Sequence, residues 1–328
     1  MKAGLGLAVA AMILLGGCAP GSGDVPPSGD RGPAVETDGA AVRITVSGRP
    51  VLEYAMEERL PSDTLPGYYR RSGYIDSVYS PEGHLLTDAF PAGHTHHHGI
   101  FTAWTSATFR GEHLDFWNQH HETGTARHAE LLEIYDSAGV AGFRVRLEQV
   151  SLQYGPILSE DWRVRVYDTA EPYVWDLRTA QTNVTGDTLY LNRYDYGGLG
   201  VRGSADWNQV DSLRFRAPAK FLTSAGDFRA AANHTRPEWV AMYGETSGIR
   251  SEGTAGLAVF PHPENFRAPE FVRVHPDMPY LSVTPVVEEG FSLPPGETFV
   301  ARYRFVLFDG EPAGIDLSRY GWSAFPPR

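Results

Sequence analysis

The chain has 328 residues, with 28 Lys and Arg against 40 Asp and Glu, a net charge of −12. That balance argues against a nucleic-acid partner, because phosphate binding needs a basic face. A single cysteine excludes intrachain disulfides and thiolate metal clusters, so a metal site would have to use imidazole, carboxylate or carbonyl oxygen.

Lys2 is followed by "GLGLAVAAMILLGG", an apolar run too short to span a bilayer stably. It runs into Leu15-Gly16-Gly17-Cys18, which reads as a lipobox: cleavage before Cys18 and diacylation of its sulfur. The reading predicts a signal peptide over 1–17, a lipidated flexible tether over 18–41 that is rich in Gly, Pro, Ser and Asp, and one folded domain over 42–328. Ala19, rather than Asp, points to the outer membrane. The expected location is the cell envelope, facing periplasm or exterior, with the lipid as the only membrane contact.

The next feature is "AFPAGHTHHHGIFTAW", with His94, His96, His97 and His98 within five positions. As a strand, it would put His94, His96 and His98 on one face, where imidazoles two residues apart can converge on a divalent metal. Pro91, Gly93 and Gly99 speak instead for a turn that scatters them. A metal site using His94 and His96 and a metal-free, substrate-lining loop both stay open. His113, His120, His121 and His128 follow within reach, and Asp115 is a candidate ligand or a partner that fixes an imidazole tautomer.

Beyond the loop, alternation of period two dominates. "GFRVRLEQV" places Phe143, Val145 and Leu147 on one face, "DWRVRVY" Trp162, Val164 and Val166, and "PYVWDLRTA" Tyr173, Trp175 and Leu177. "DSLRFRAP" is a shorter case, and "TFVARYRFVLFDG" sets Phe299, Ala301, Tyr303, Phe305 and Leu307 together. One buried and one wet face is the signature of antiparallel sheet. Turns are expected at 137–139, 185–187, 251–256 and 293–297. "ARHAELLEIYD" fits a short helix or a strand edge. Gly 35 and Pro 24 disfavour long helices, and no constant period supports a propeller.

Four stretches in order, "HTHHHG" at 94–99, "LDFW" at 114–117, "GGLGVR" at 197–202 and "HPEN" at 262–265, resemble the PmoA-like family of bacterial proteins, with a likeness running from about residue 42 to the end. Thr95 replaces the family's usual Pro and His98 its usual Arg. The family name suggests a multi-span methane monooxygenase subunit, a reading that the lack of any further membrane-length apolar run rejects. The resemblance implies an exported β-sandwich protein associated with carbohydrate catabolism, without a settled activity. The expected fold is all-β, a large antiparallel β-sandwich of mutarotase-like supersandwich architecture.

Within it, His94, His96 and His97 are the central candidates for acid–base chemistry, since imidazole titrates near neutral pH. Glu160, ahead of a strand, is the candidate carboxylate. His262, Asn265 and Arg267 sit where a strand opens into a Pro-bounded loop, and Arg202 closes "GGLGVR". Trp117 and Trp207, set among polar residues, are the expected exposed aromatic faces for sugar stacking. The function expected is hydrolysis, elimination or epimerisation of a sugar unit; the alternatives are a non-catalytic carbohydrate-binding lipoprotein and a structural envelope lipoprotein.

Overall fold

The computed structural model describes Met1 and residues 32–137, 139–248 and 252–325. The predicted signal peptide, Cys18 and most of the tether lie outside the described residues. All strand pairings are antiparallel and fall into three sheets. The first sheet runs Pro33–Thr37, Ala41–Val46, Arg49–Ala55, Tyr74–Val78, Ile100–Ala103, Gly198–Arg202, Tyr280–Thr284, Phe271–Val274. The second runs Lys220–Thr223, Val240–Ser247, Glu252–Pro261, Thr298–Asp309, Tyr173–Asn183, Gly155–Tyr167, Val140–Ser151, Gly124–Ser137. A small third sheet joins Phe291–Leu293, Leu189–Leu191, Ala107–Phe109 and Glu112–Leu114. The single α-helix among the described residues is Arg229–Ala232. No helix there is long and apolar enough to cross a membrane.

The expected all-β antiparallel sandwich is what forms. Phe143, Val145, Trp162, Val164, Trp175, Leu177 and Phe305 are fully buried and belong to one apolar cluster, which the first sheet completes with Val42, Ile44, Tyr54, Ile75, Ile100 and Val201. Burying such a side chain stabilises by about 1.5–3 kcal/mol, which is why the period-two pattern decides the pairing register.

Three expectations need correcting, and one left open is decided. The sheet includes residues before 42: Pro33–Thr37 pairs with Ala41–Val46, so the end of the predicted tether is an edge strand. Of the two readings open for "ARHAELLEIYD", the strand edge is realised: it lies in Gly124–Ser137, the last strand of the second sheet. "DSLRFRAP" forms turns, because the Asp211 carboxylate accepts from the backbone N–H of Leu213 and Arg214 and bends the chain. Most of the turn expected at 251–256 is instead strand, Glu252–Pro261.

The outer face of Thr298–Asp309 is not wet either. Val306 and Phe308 join a second apolar cluster with Tyr167, Val174 and Phe260, covered by Tyr320, Trp322 and Phe325. Arg304 lies fully buried beneath that cover, paired with Asp176 at 2.7 Å and stacked 4.3 Å from the Trp322 ring.

Candidate functional site

The histidine loop is a turn, as Pro91, Gly93 and Gly99 suggested, but it gathers three of the four imidazoles instead of scattering them. His94 N–H donates to Pro91 O at 3.1 Å and His97 N–H to His94 O at 2.9 Å, two successive turns. Gly99 has φ +42°, and a Cβ there would sit 2.1 Å from Ile75 O, so only glycine carries the chain from this loop into the strand Ile100–Ala103. The turns bring His94, His96 and His97 to one side, with ring centroids 4.6–5.7 Å apart. His98 points the other way into the core, where its Nε2 meets Gln119 Oε1 at 2.9 Å between Tyr74 and Phe90.

The three histidines line a cavity of about 210 Å³ with Asn118, Tyr196, Arg273, His275, Met278 and Tyr280. The loop supplies one wall. The opposite wall is the hairpin of Phe271–Val274 with Tyr280–Thr284, whose strand pairs with Gly198–Arg202. His97 stacks on Tyr280 at 4.8 Å, and His94 lies 6.5 Å from His275. His120 approaches His96 at 5.2 Å.

"LDFW" and "GGLGVR" support this cavity from below. Asp115 accepts from the N–H groups of Trp117 and Asn118 and from the Asn118 side chain, all at 2.7–2.9 Å, which sets Asn118 in place. Its other partner is His121 Nδ1, at 2.9 Å, the tautomer-fixing role expected for it. Trp117 is fully buried under Phe101, Tyr196 and Tyr280 and offers no exposed face; Trp207 is equally buried. Gly200 permits this, since a Cβ there would lie 2.6 Å from Trp117. Arg202 is fully buried, its Nη1 3.5 Å from His97 Nδ1, with Nε and Nη2 unpartnered among the described residues.

Burial lowers the pKa of all four lining imidazoles. His96 falls to about 3, with neighbouring His94 and His120 adding to the effect, and His275 to about 4, with Arg273 and His94 adding. At neutral pH they are uncharged. His275 Nδ1 accepts from the backbone N–H of Asp277 and Met278, both at 3.1 Å, so its cavity-facing nitrogen carries the proton. Arg202 sets the same tautomer on His97. Among the described residues no hydrogen bond fixes the tautomer of His94 or His96 in this way.

The other candidates do not join this cavity. Glu160 lies in the sandwich core, accepting from Thr102 at 2.7 Å, Trp162 at 2.7 Å and Gln149 at 3.1 Å, so it is a core carboxylate rather than a cleft one. His262 lines a separate cavity of about 380 Å³ with Trp239, Phe260 and Trp322. Asn265 is buried, held by Glu270 and by the backbone of Arg302. Arg267, at φ +61°, donates to the carbonyls of Pro285, Glu289 and Gly290 and pins that loop. These three residues build a turn. The set His94, His96, His97, Glu160 and His262 is therefore not one constellation. Residues the sequence reading missed, Asn118, Tyr196, Arg273, His275 and Tyr280, complete the cavity instead.

A family of unknown function, DUF6807, matches residues 41–320, the span of the sandwich. The chain belongs to this family. No curated protein matches it significantly. Several solved structures are similar to this DUF6807 chain. The heparan sulfate lyase HepC from Pedobacter heparinus is 9% identical over 86% of this chain and 36% of its own, with TM-score 0.38. The GH36 alpha-galactosidase AgaA from Geobacillus stearothermophilus is 13% identical over 86% of this chain and 41% of its own, with TM-score 0.40. A galactose mutarotase related enzyme from Lactobacillus acidophilus is 8% identical over 84% of this chain and 97% of its own, with TM-score 0.32. The chain thus spans well under half the length of the lyase and the galactosidase.

Proposed function

We propose that the His94–His97 cavity binds a sugar unit bearing a carboxylate, and that His94 or His96 removes a proton from the carbon beside it, leading to elimination or epimerisation. The observation that carries this reading is the lining itself: uncharged imidazoles and the Arg273 guanidinium, with no carboxylate among the described lining residues. Glycoside hydrolysis ordinarily needs a pair of carboxyl groups flanking the bond, and the cavity lacks that pair. Arg273, fixed by Asn233 Oδ1 at 2.8 Å, is the group to bind the substrate's carboxylate, and Arg202 adds positive charge behind His97.

The electrostatics favour this chemistry. Imidazoles depressed by burial and by Arg202 are weak bases on their own. A bound carboxylate opposes both effects and raises them toward neutrality, where a general base works best. Tyr280 keeps its phenolic proton because burial raises its pKa, and its ring backs His97 at 4.8 Å. Asn118 and Tyr196 supply hydrogen bonds and a ring face of the kind sugars use. The cavity is smaller than the roughly 300–1,000 Å³ of a site for drug-sized ligands, in keeping with a single ring.

The test is to incubate the protein with uronate-containing and neutral oligosaccharides in D₂O and follow proton exchange and product by NMR. Exchange beside the carboxylate, falling by about 100-fold or more in His94→Ala or His96→Ala and in Arg273→Gln, is the expected result. Saturable binding without exchange would instead establish a non-catalytic binding protein. Lys2, the apolar run and Leu15–Cys18 support placing this activity on a lipid-anchored envelope protein. Loss of metabolic lipid labelling in Cys18→Ser checks that.

A further inference from the structure

A second cluster lies where the two large sheets meet. Ser80–His84 is the turn that follows the strand Tyr74–Val78 of the first sheet, and Asp309 ends the strand Thr298–Asp309 of the second. Ser80 Oγ donates to Asp309 Oδ1 at 2.5 Å, and Glu82 N–H to Asp309 Oδ2 at 2.9 Å, so the turn is bound to the strand end. His84 sits inside this contact with its side chain 1% exposed, yet neither ring nitrogen has a hydrogen-bond partner among the described residues. Buried polar side chains are nearly always hydrogen-bonded, so such a ring calls for a ligand.

Its Nε2 is aimed between two carboxylates, 3.7 Å from Asp309 Oδ1 and 3.8 Å from Glu82 Oε2. These separations are too long for hydrogen bonds. They suit a shared ion: two ligands held about 2.1 Å from one tetrahedral metal lie about 3.4 Å apart. One donor atom from each of the three residues falls within 4.8 Å of the others, and Glu82, the exposed member, is free to close the remaining gap. Gly253 leaves the approach open, since a Cβ there would press to 3.2 Å on His84 Nε2.

We propose that Glu82, His84 and Asp309 bind a divalent transition-metal ion that fastens the two sheets together. One imidazole nitrogen with two carboxylate oxygens suits Zn²⁺ or Mn²⁺ better than Ca²⁺, which takes six to eight oxygens. The Ser80 and Glu82 hydrogen bonds orient the Asp309 carboxylate as outer partners do in metal sites.

Chelator-stripped protein titrated with Zn²⁺ and Mn²⁺ by calorimetry, with parallel thermal unfolding, tests this. The expected result is a saturable equivalent that raises the melting temperature by about 5 °C at a hundredfold excess over Kd. Glu82→Gln, a surface change, should weaken binding about tenfold or more while leaving the metal-free melting temperature unchanged. His96→Ala, in the histidine loop, should keep this equivalent. The absence of saturable binding of either ion overturns the proposal. So does binding lost in His96→Ala and kept in Glu82→Gln, which would put the ion at the loop.

Discussion

His96 offers a direct measure of how dry the cavity wall is. Burial, together with His94 and His120, lowers its pKa to about 3, whereas an imidazole in the unfolded chain titrates near 6.5. With the folded value depressed, unfolding takes up a proton below pH 6.5. The stabilisation is complete above that pH and is lost as pH falls toward about 3. The slope approaches about 1.4 kcal/mol per pH unit, and integration from pH 6.5 to 5 comes to about 1.6 kcal/mol from this one side chain. His97 and His98, also lowered by burial, act in the same direction, so the whole protein should lose more than that. His96→Gln removes one titrating group. Its unfolding free energy should therefore decline with acid less steeply than that of the wild type, by about 1.6 kcal/mol over this window. Urea unfolding followed by tryptophan fluorescence at several pH values between about 7.5 and 5, above the range where most carboxylates titrate, gives both curves. Parallel curves with equal m-values would refute the claim that His96 is held uncharged in a desolvated wall.

Two substitutions test the support behind the cavity. Glu160→Ala strands three buried donors, on Thr102, Gln149 and Trp162, at about 1–3 kcal/mol each. The loss should be about 3 kcal/mol or more by chemical denaturation, with Glu160→Gln losing less; wild-type stability in Glu160→Ala would disprove the core role. Gly99→Ala forces a methyl to 2.1 Å from Ile75 O at φ +42°. That variant should express poorly or melt well below the wild type, and an unchanged melting temperature would show that the loop-to-strand junction is not so constrained.

The sandwich was legible because its strands carry their own instruction: a period of two, long enough that only one register buries the apolar face. The same rule also held a message that went unread. Glu160 shares the parity of Leu158, Trp162, Val164 and Val166, all fully buried, so the pattern already put its carboxylate inside. The rule fails where tertiary structure intervenes. "DSLRFRAP" alternates over too few residues to outweigh the Asp211 turn, and Leu213 ends 95% exposed. The even positions of Thr298–Asp309 look solvent-facing until the C-terminal segment folds over Arg304, Val306 and Phe308.

The site was half legible, and the missing half shows what local chemistry withholds. "HPEN" and "HPDM" are the same device, a histidine before proline whose Nδ1 accepts the N–H two residues on, at 3.0 Å in His262 and 3.1 Å in His275. Neither turn is distinguishable from the other by its residues. What separates them is the strand each one ends. Glu252–Pro261 runs in the second sheet, and its turn opens beside Trp322. Phe271–Val274 is the edge of the first sheet, two strands from Gly198–Arg202, which in turn pairs with Ile100–Ala103, the strand that leaves the histidine loop. Two long-range pairings and one local hairpin carry His275 to within 6.5 Å of His94. Whether a histidine here lines the candidate cavity is thus decided by sheet order, a property that rests on pairings far apart in sequence.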